Sequence, residues 1–167
     1  VTAATYGISG TVFNDVNGNN DAGGGVVNGV GTNAGSSALT AYLTTLDVNN
    51  QLIVVASTPV ASDGTYGFSK LANGSYFVVL ANTPTPVSVN QLAPGQSLPA
   101  GWVNTGDQTG TTAGGATTAT PGVSAALPLN GANITQVNFG IEQPPTATGI
   151  NDASQPNPGG TVSVTVP

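Results

Sequence analysis

Asp15, Asn17, Asn19 and Asp21 fall at every second position of the segment that runs on from the alternating stretch Gly7-Ile8-Ser9-Gly10-Thr11-Val12-Phe13. Side-chain oxygens at the first, third, fifth and seventh positions of a loop are the usual cage for a hard cation, so the expected chemistry is coordination of Ca²⁺. With two carboxylates among the four candidate ligands, the site should bind more weakly than a calcium sensor. The same residue types also build plain turns, because Asn, Asp and Gly tolerate left-handed backbone and bond to their own main chain. An EF-hand would place a bidentate Glu at the twelfth position, where this chain has Val26, and would flank the loop with helices. Neither feature is present, so a cation loop on a strand and an Asx-rich turn both remain open.

Catalytic chemistry finds little to work with. The chain has no His, no Cys and no Arg, and Lys70 is its single basic residue against seven acidic ones. Nothing supplies a general base near neutrality, and no enzyme is expected. Asp63 and Asp107 are the one conceivable carboxylate pair for glycoside hydrolysis, but their Asp-Gly and Gly-Asp settings suit turn and loop roles better. A formal net charge of −6 leaves no cationic footprint for phosphates. Nucleic acid and anionic membranes are therefore excluded as partners. No apolar run approaches the roughly 20 residues of a membrane helix, so membrane insertion is not expected. A surface of Thr, Ser, Asn and Gln lacks the charge that keeps concentrated proteins apart. It suits a tethered or assembled extracellular chain, and the absence of an initiator Met fits a piece of something longer. Without Cys, stability must come from packing or metal.

The elements that position the loop have a periodicity of two. Candidate strands cover about 7–14, 38–46, 51–60, 65–70, 75–82, 85–89, 101–104, 123–129 and 134–142, punctuated by 24 Gly and 12 Pro. One parity of each should face a core: Ile8 with Val12 or Phe13, Leu39 with Tyr42 or Leu43, Tyr66 and Phe68, Tyr76, Val78 and Leu80, and Val137, Phe139 and Ile141. Trp102 and the other aromatics are expected in the core rather than on a sugar-binding platform. Asp63-Gly64 and Asn73-Gly74 introduce two closely spaced strands, expected to pair as a hairpin. Residues 22–37 and 105–122 read as long loops.

Three segments together resemble a known family: Ile8-Ser9-Gly10-Thr11-Val12-Phe13, the Asp15-x-Asn17-x-Asn19 loop, and Asp63-Gly64-Thr65-Tyr66-Gly67-Phe68 followed by Leu71-Ala72-Asn73-Gly74-Ser75-Tyr76. The pattern looks like the B-type domain of serine-aspartate-repeat adhesins, related to collagen-adhesin B-type domains. It covers roughly residues 7 to 142 and is strongest in the first 80. The resemblance implies an immunoglobulin-like, prealbumin-like β-sandwich with Ca²⁺ in its first loop, repeated as a stiff stalk module of bacterial surface proteins. It carries Asp15, Asn17 and Asn19 as ligands. Asp21 arrives early for the family pattern, and Gly23, Gly24 and Gly25 stand where an acidic ligand often follows. Relatives with internal isopeptide bonds need a Lys on a core-facing strand beside Asn or Asp, with an acidic catalyst. Lys70 and Glu142 are the only candidates here, and a surface Lys70 without a crosslink is expected.

After Glu142 the composition changes. The domain reading is a sandwich over 1–143, a Pro- and Gly-rich linker over 144–160 and a final strand over 161–167, in which Thr161 to Val166 alternate without a fault. A lone strand is not stable by itself, so it should pair with an edge of a neighbouring module or copy, or open a following repeat. The functional expectation is a structural stalk or filament module of an extracellular bacterial adhesin or appendage, whose host ligand the sequence does not name. The alternative is a carbohydrate- or ligand-binding sandwich that uses the long loops.

Overall fold

A computed structural model describes residues 5–16, 26–110 and 120–144. These residues form an all-β sandwich of two sheets. The first contains β1 (Tyr6–Asn14), β2 (Val30–Gly31), β5 (Thr65–Leu71), β7 (Val103–Thr109) and β9 (Val137–Glu142). The second contains β4 (Leu52–Pro59), β3 (Leu39–Leu46), β6 (Gly74–Asn82) and β8 (Leu127–Leu129), in that spatial order.

β1 is the hub of the first sheet. On one edge it pairs in parallel with β9, Val12 opposite Phe139 and Asn14 opposite Ile141. On the other it pairs with β5 along its first half, and β2 takes over at Phe13 and Asn14. The handover is a backbone relay, in which the Val12 amide donates to the Gly64 carbonyl and the Thr32 amide donates to the Val12 carbonyl. Gly31 is obligatory there, since a Cβ would lie 1.8 Å from the Asp63 carbonyl oxygen.

Period-two alternation sends Ile8, Val12, Tyr66, Phe68, Val137, Phe139 and Ile141 inward from one sheet to meet Leu39, Ala41, Leu43, Tyr76, Val78 and Leu80 from the other. The expectation left open at the first strand resolves in favour of Val12, which is fully buried, while Phe13 is half-buried. At the second it resolves in favour of Leu43. Tyr42 points to the opposite face, where it joins Val54, Val79 and Ala81 in a second buried cluster. Residues of the long connection after β6, Val87 and Ala93 among them, pack against that cluster. The Tyr42 hydroxyl bonds to Thr83 Oγ1 and accepts the Val87 amide at 3.1 Å. Segment 85–89 is therefore a cover laid across the second sheet and not the expected strand. Trp102 packs half-buried against the main core.

The expected hairpin of 65–70 with 75–82 does not form. β5 pairs with β1 and β6 with β3, so the short link between them crosses from one sheet to the other. The physical reason is that both strands carry large inward residues, which are buried best when they face each other across the sandwich rather than side by side. Tyr76 pins the crossing by donating its hydroxyl to the Ala72 carbonyl at 2.8 Å. The segment read as strand 101–104 followed by a long loop is instead strand through Thr109, and β2 carries no alternation long enough to announce itself.

Three outer strands, β5, β8 and β4, are blunted against sideways pairing. β5 bulges at exposed Lys70, which sits at φ 56°. β8 carries Pro128 in its centre. β4 ends in Pro59 and is covered near its start, where Val54 N donates to Gln91 O and Ala93 N to Leu52 O.

At Gly10 β1 runs so close to β9 that a Cβ would stand 1.7 Å from the Val137 carbonyl oxygen, and the Tyr66 phenol donates to that same carbonyl. Burial holds this phenol well above its ordinary ionisation range. A raised folded pKa means that its contribution is complete below the unfolded value of about 10 and is lost as pH rises beyond it. Tyr66→Phe should destabilise the fold by about 1–3 kcal/mol, because it strands a buried carbonyl. Denaturant unfolding measures the loss, and ultraviolet titration of wild type against Tyr66→Phe should show that the Tyr66 phenol ionises only on alkaline unfolding.

Candidate cation site at the end of the first strand

Asp15 is the first residue after β1, and its own amide donates to the Ile141 carbonyl at 2.8 Å, extending the β1–β9 ladder by one step. The residue is 1 % exposed. Its Oδ2 accepts the hydroxyl of Thr105 at 2.9 Å. Its Oδ1 is buried and has no hydrogen-bond partner among the described residues. Burying a carboxylate oxygen without a partner is costly, and a cation at this corner would offset that cost. The donor set on hand, one carboxylate and one hydroxyl, is of the hard-oxygen kind that suits Ca²⁺.

Two features of the sheet make room for the carboxylate. β7 bulges at Thr105, which is the extra residue between the pairs Asn104 with Ile141 and Gly106 with Gly140. Gly140 lies beneath, and a Cβ there would stand 2.3 Å from Thr105 Oγ1 and 2.9 Å from Asp15 Oδ2. The returning side of the loop is tied to the same corner. Val27, 2 % exposed, donates its amide to Gln108 Oε1 at 2.9 Å. Gly29 then passes so close to β1 that a Cβ would sit 2.2 Å from the Asn14 carbonyl oxygen. β9, β7 and the start of β2 therefore clamp both ends of the segment that carries the candidate ligands.

Of the four sequence-predicted ligands, Asp15 is the one placed here, while Asn17, Asn19 and Asp21 lie outside the described residues. Among the described residues no three His, Cys, Asp or Glu side chains cluster as a metal site. Thr105, Gln108 and Gly140 were missed by sequence reasoning. Gly140 carried a usable signal, since a glycine inside an alternating strand marks a close approach. Thr105 carried none, because a bulge depends on the partner strand.

The other groups singled out by sequence lie apart. Asp63 is exposed in the turn before β5, and hydrogen bonds from the Thr65 hydroxyl and then the Thr65 amide hold its carboxyl below its ordinary range. Asp107 is buried in β7 opposite Phe139. One carboxylate is wet and the other enclosed, so they do not line a common cleft. The final strand expected over 161–167 lies outside the described residues, as does the linker from 145 onward. No protein-family model matches the chain, and no curated protein matches it.

The Asp15 carboxylate, if it holds Ca²⁺, links cation binding to fold stability. Melting temperature should rise with added Ca²⁺ and fall with chelator, and Asp15→Ala should remove the difference. Identical wild-type melting curves in both conditions would contradict the site. Lys70→Ala should change stability by no more than about 0.5 kcal/mol, as exposed substitutions do. Peptide mapping should recover Lys70 in an unbranched peptide, with no isopeptide bond to a second segment.

Proposed function

We propose that this chain is a structural module of an extracellular bacterial stalk or filament, related to the B-type domains of serine-aspartate-repeat adhesins and stiffened by Ca²⁺ at Asp15. The observation that carries the reading is the parallel pairing of β1 and β9, the first and last strands among the described residues. Parallel neighbours run the same way, so the chain enters the sandwich at the Tyr6 end and leaves it beside Asp15 at the opposite pole. Nine residues of β1 separate the poles by about 30 Å at the usual strand rise. Modules joined in series through such ends extend as a rod, whereas antiparallel first and last strands would fold the array back on itself.

Three further observations support the reading. Blunting of β4, β5 and β8 discourages sideways aggregation at those edges, which a crowded surface array must avoid. Both ends of the loop are clamped at the exit pole, so a cation bound there would stiffen the junction between one module and the next. Tyr42 is fully buried and Trp102 half-buried, so neither offers an exposed platform for a sugar ring. The module acts without catalysis. Its partners are neighbouring modules or copies of itself, with Thr161–Val166 supplying a strand for addition to an edge.

A binding reading draws on a shallow groove of about 390 Å³ on the outer face of the first sheet, lined by uncharged groups of Ser9, Thr11, Thr65, Gln136 and Asn138 beside Phe13. A glycan array separates the two, since a stalk module should give no saturable binding.

Electron microscopy of the full chain at high concentration should show linear assemblies with a regular axial repeat. Truncation after Gln143 should leave a folded monomer by circular dichroism and sedimentation that no longer assembles. Unfolding of the truncated chain, or closed compact oligomers in place of linear ones, would count against the proposal.

A further inference from the structure

Four Asn-Gly pairs occur in the chain, at Asn17, Asn28, Asn73 and Asn130. Such a pair can modify itself. The amide nitrogen of the glycine, once deprotonated, attacks Cγ of the asparagine, ammonia leaves and a succinimide ring closes. Water then opens either ring carbonyl to give aspartate or isoaspartate. Glycine favours the reaction because no side chain shields its nitrogen. Whether it occurs in a folded protein depends on whether the side-chain amide and the attacking nitrogen are held elsewhere, and here the fold treats the pairs differently.

One hydrogen bond protects two of them. The Gly131 amide donates to Asn73 Oδ1 at 2.9 Å, so the nucleophile of the Asn130 pair keeps its proton engaged and the electrophile of the Asn73 pair is anchored. Gly74 is further held in the β6–β8 ladder opposite Leu129. At Asn28-Gly29 the situation is reversed. Both residues are exposed, and among the described residues nothing hydrogen-bonds to the Asn28 side chain or the Gly29 amide. The asparagine opens onto a surface cavity of about 360 Å³ shared with Asn14, Val16 and Val30. The fold also cannot exchange the glycine. Gly29 sits at φ 127° with its Cα against the Asn14 carbonyl, where any Cβ would clash. The close passage that closes the cation loop therefore keeps the reactive pair in place.

We infer that Asn28-Gly29 is a self-modification site of the folded protein, converting to aspartate and isoaspartate while Asn73-Gly74 and Asn130-Gly131 are spared. The product places a carboxylate one residue beyond Val27, on the return arm of the loop that Asp15 opens. The Asn17 pair lies outside the described residues and forms no part of the inference.

The test is incubation of the full chain at mildly alkaline pH, folded and in denaturant, followed by peptide mapping of each asparagine. In denaturant Asn28, Asn73 and Asn130 should all convert. In the folded protein Asn28 should convert, with both aspartate and isoaspartate products, while Asn73 and Asn130 stay intact over the same interval. Asn28→Gln should abolish the signal from its peptide, since the longer side chain closes a less favourable ring. Asn73→Ala, checked for folding by circular dichroism, should release the Gly131 amide and let Asn130 convert in the folded state. Persistence of Asn28 in the folded protein, or conversion of Asn73 and Asn130 at the same rate as Asn28, overturns the inference.

Discussion

Parallel pairing of β1 with β9 is the constraint on which the rest of the sandwich hangs. It joins residues more than a hundred positions apart, as in the bond from the Thr11 amide to Asn138 Oδ1 across a separation of 127. Contacts so distant in sequence are reached only after much of the chain has been ordered, which makes this a fold of high contact order. Once formed, the pair fixes the two poles, gives β7 an edge to join through β9, and ends in the Asp15 amide bonded to Ile141. The candidate cation corner is thus the last step of the ladder rather than an addition to it.

Beside Gly10, where the two strands are in close contact, side chains take over the bonding of the same ladder. Tyr66 reaches the Val137 carbonyl, while Thr11 reaches the Asn138 side chain in place of a backbone partner. Side chains here complete a sheet that the main chain leaves open, in keeping with the rule that buried polar groups find partners. Among the described residues, Asp15 Oδ1 and Asn104 Oδ1 are the buried side-chain oxygens left over against that background.

Charge contributes little to any of this. With one basic residue in the chain, ion pairs cannot organise the surface. Apolar burial on both faces of the second sheet takes over part of that role. Tyr42 and Val79 form a second cluster behind the main core, and the connection after β6 folds over it. β3 is buried at each position from Leu39 to Thr44 as a result, although its sequence mixes Thr with Leu and Tyr. Turn chemistry then secures the exposed ends. Asp47 Oδ1 accepts the amides of Asn49 and Gln51 across the β3–β4 turn, and Asp63 does the same for Thr65.

Local alternation determined much of this protein without help. The all-β class, the inward parity of Ile8, Tyr66, Phe68, Val78, Leu80, Phe139 and Ile141, and the delivery of Asp15 to a strand end all follow from a period of two, which is a property of each strand alone. What alternation cannot contain is the identity of a strand's neighbour. Only the tertiary structure decided that β5 and β6 part to opposite sheets, that Tyr42 turns away from Leu43, and that residues 105–109 continue β7 beside β9. The Asp15 corner shows the division most clearly. The acid and its spacing are written in one short segment, whereas Thr105 and Gly140 reach it from a bulge and a ladder set by pairing across the whole chain.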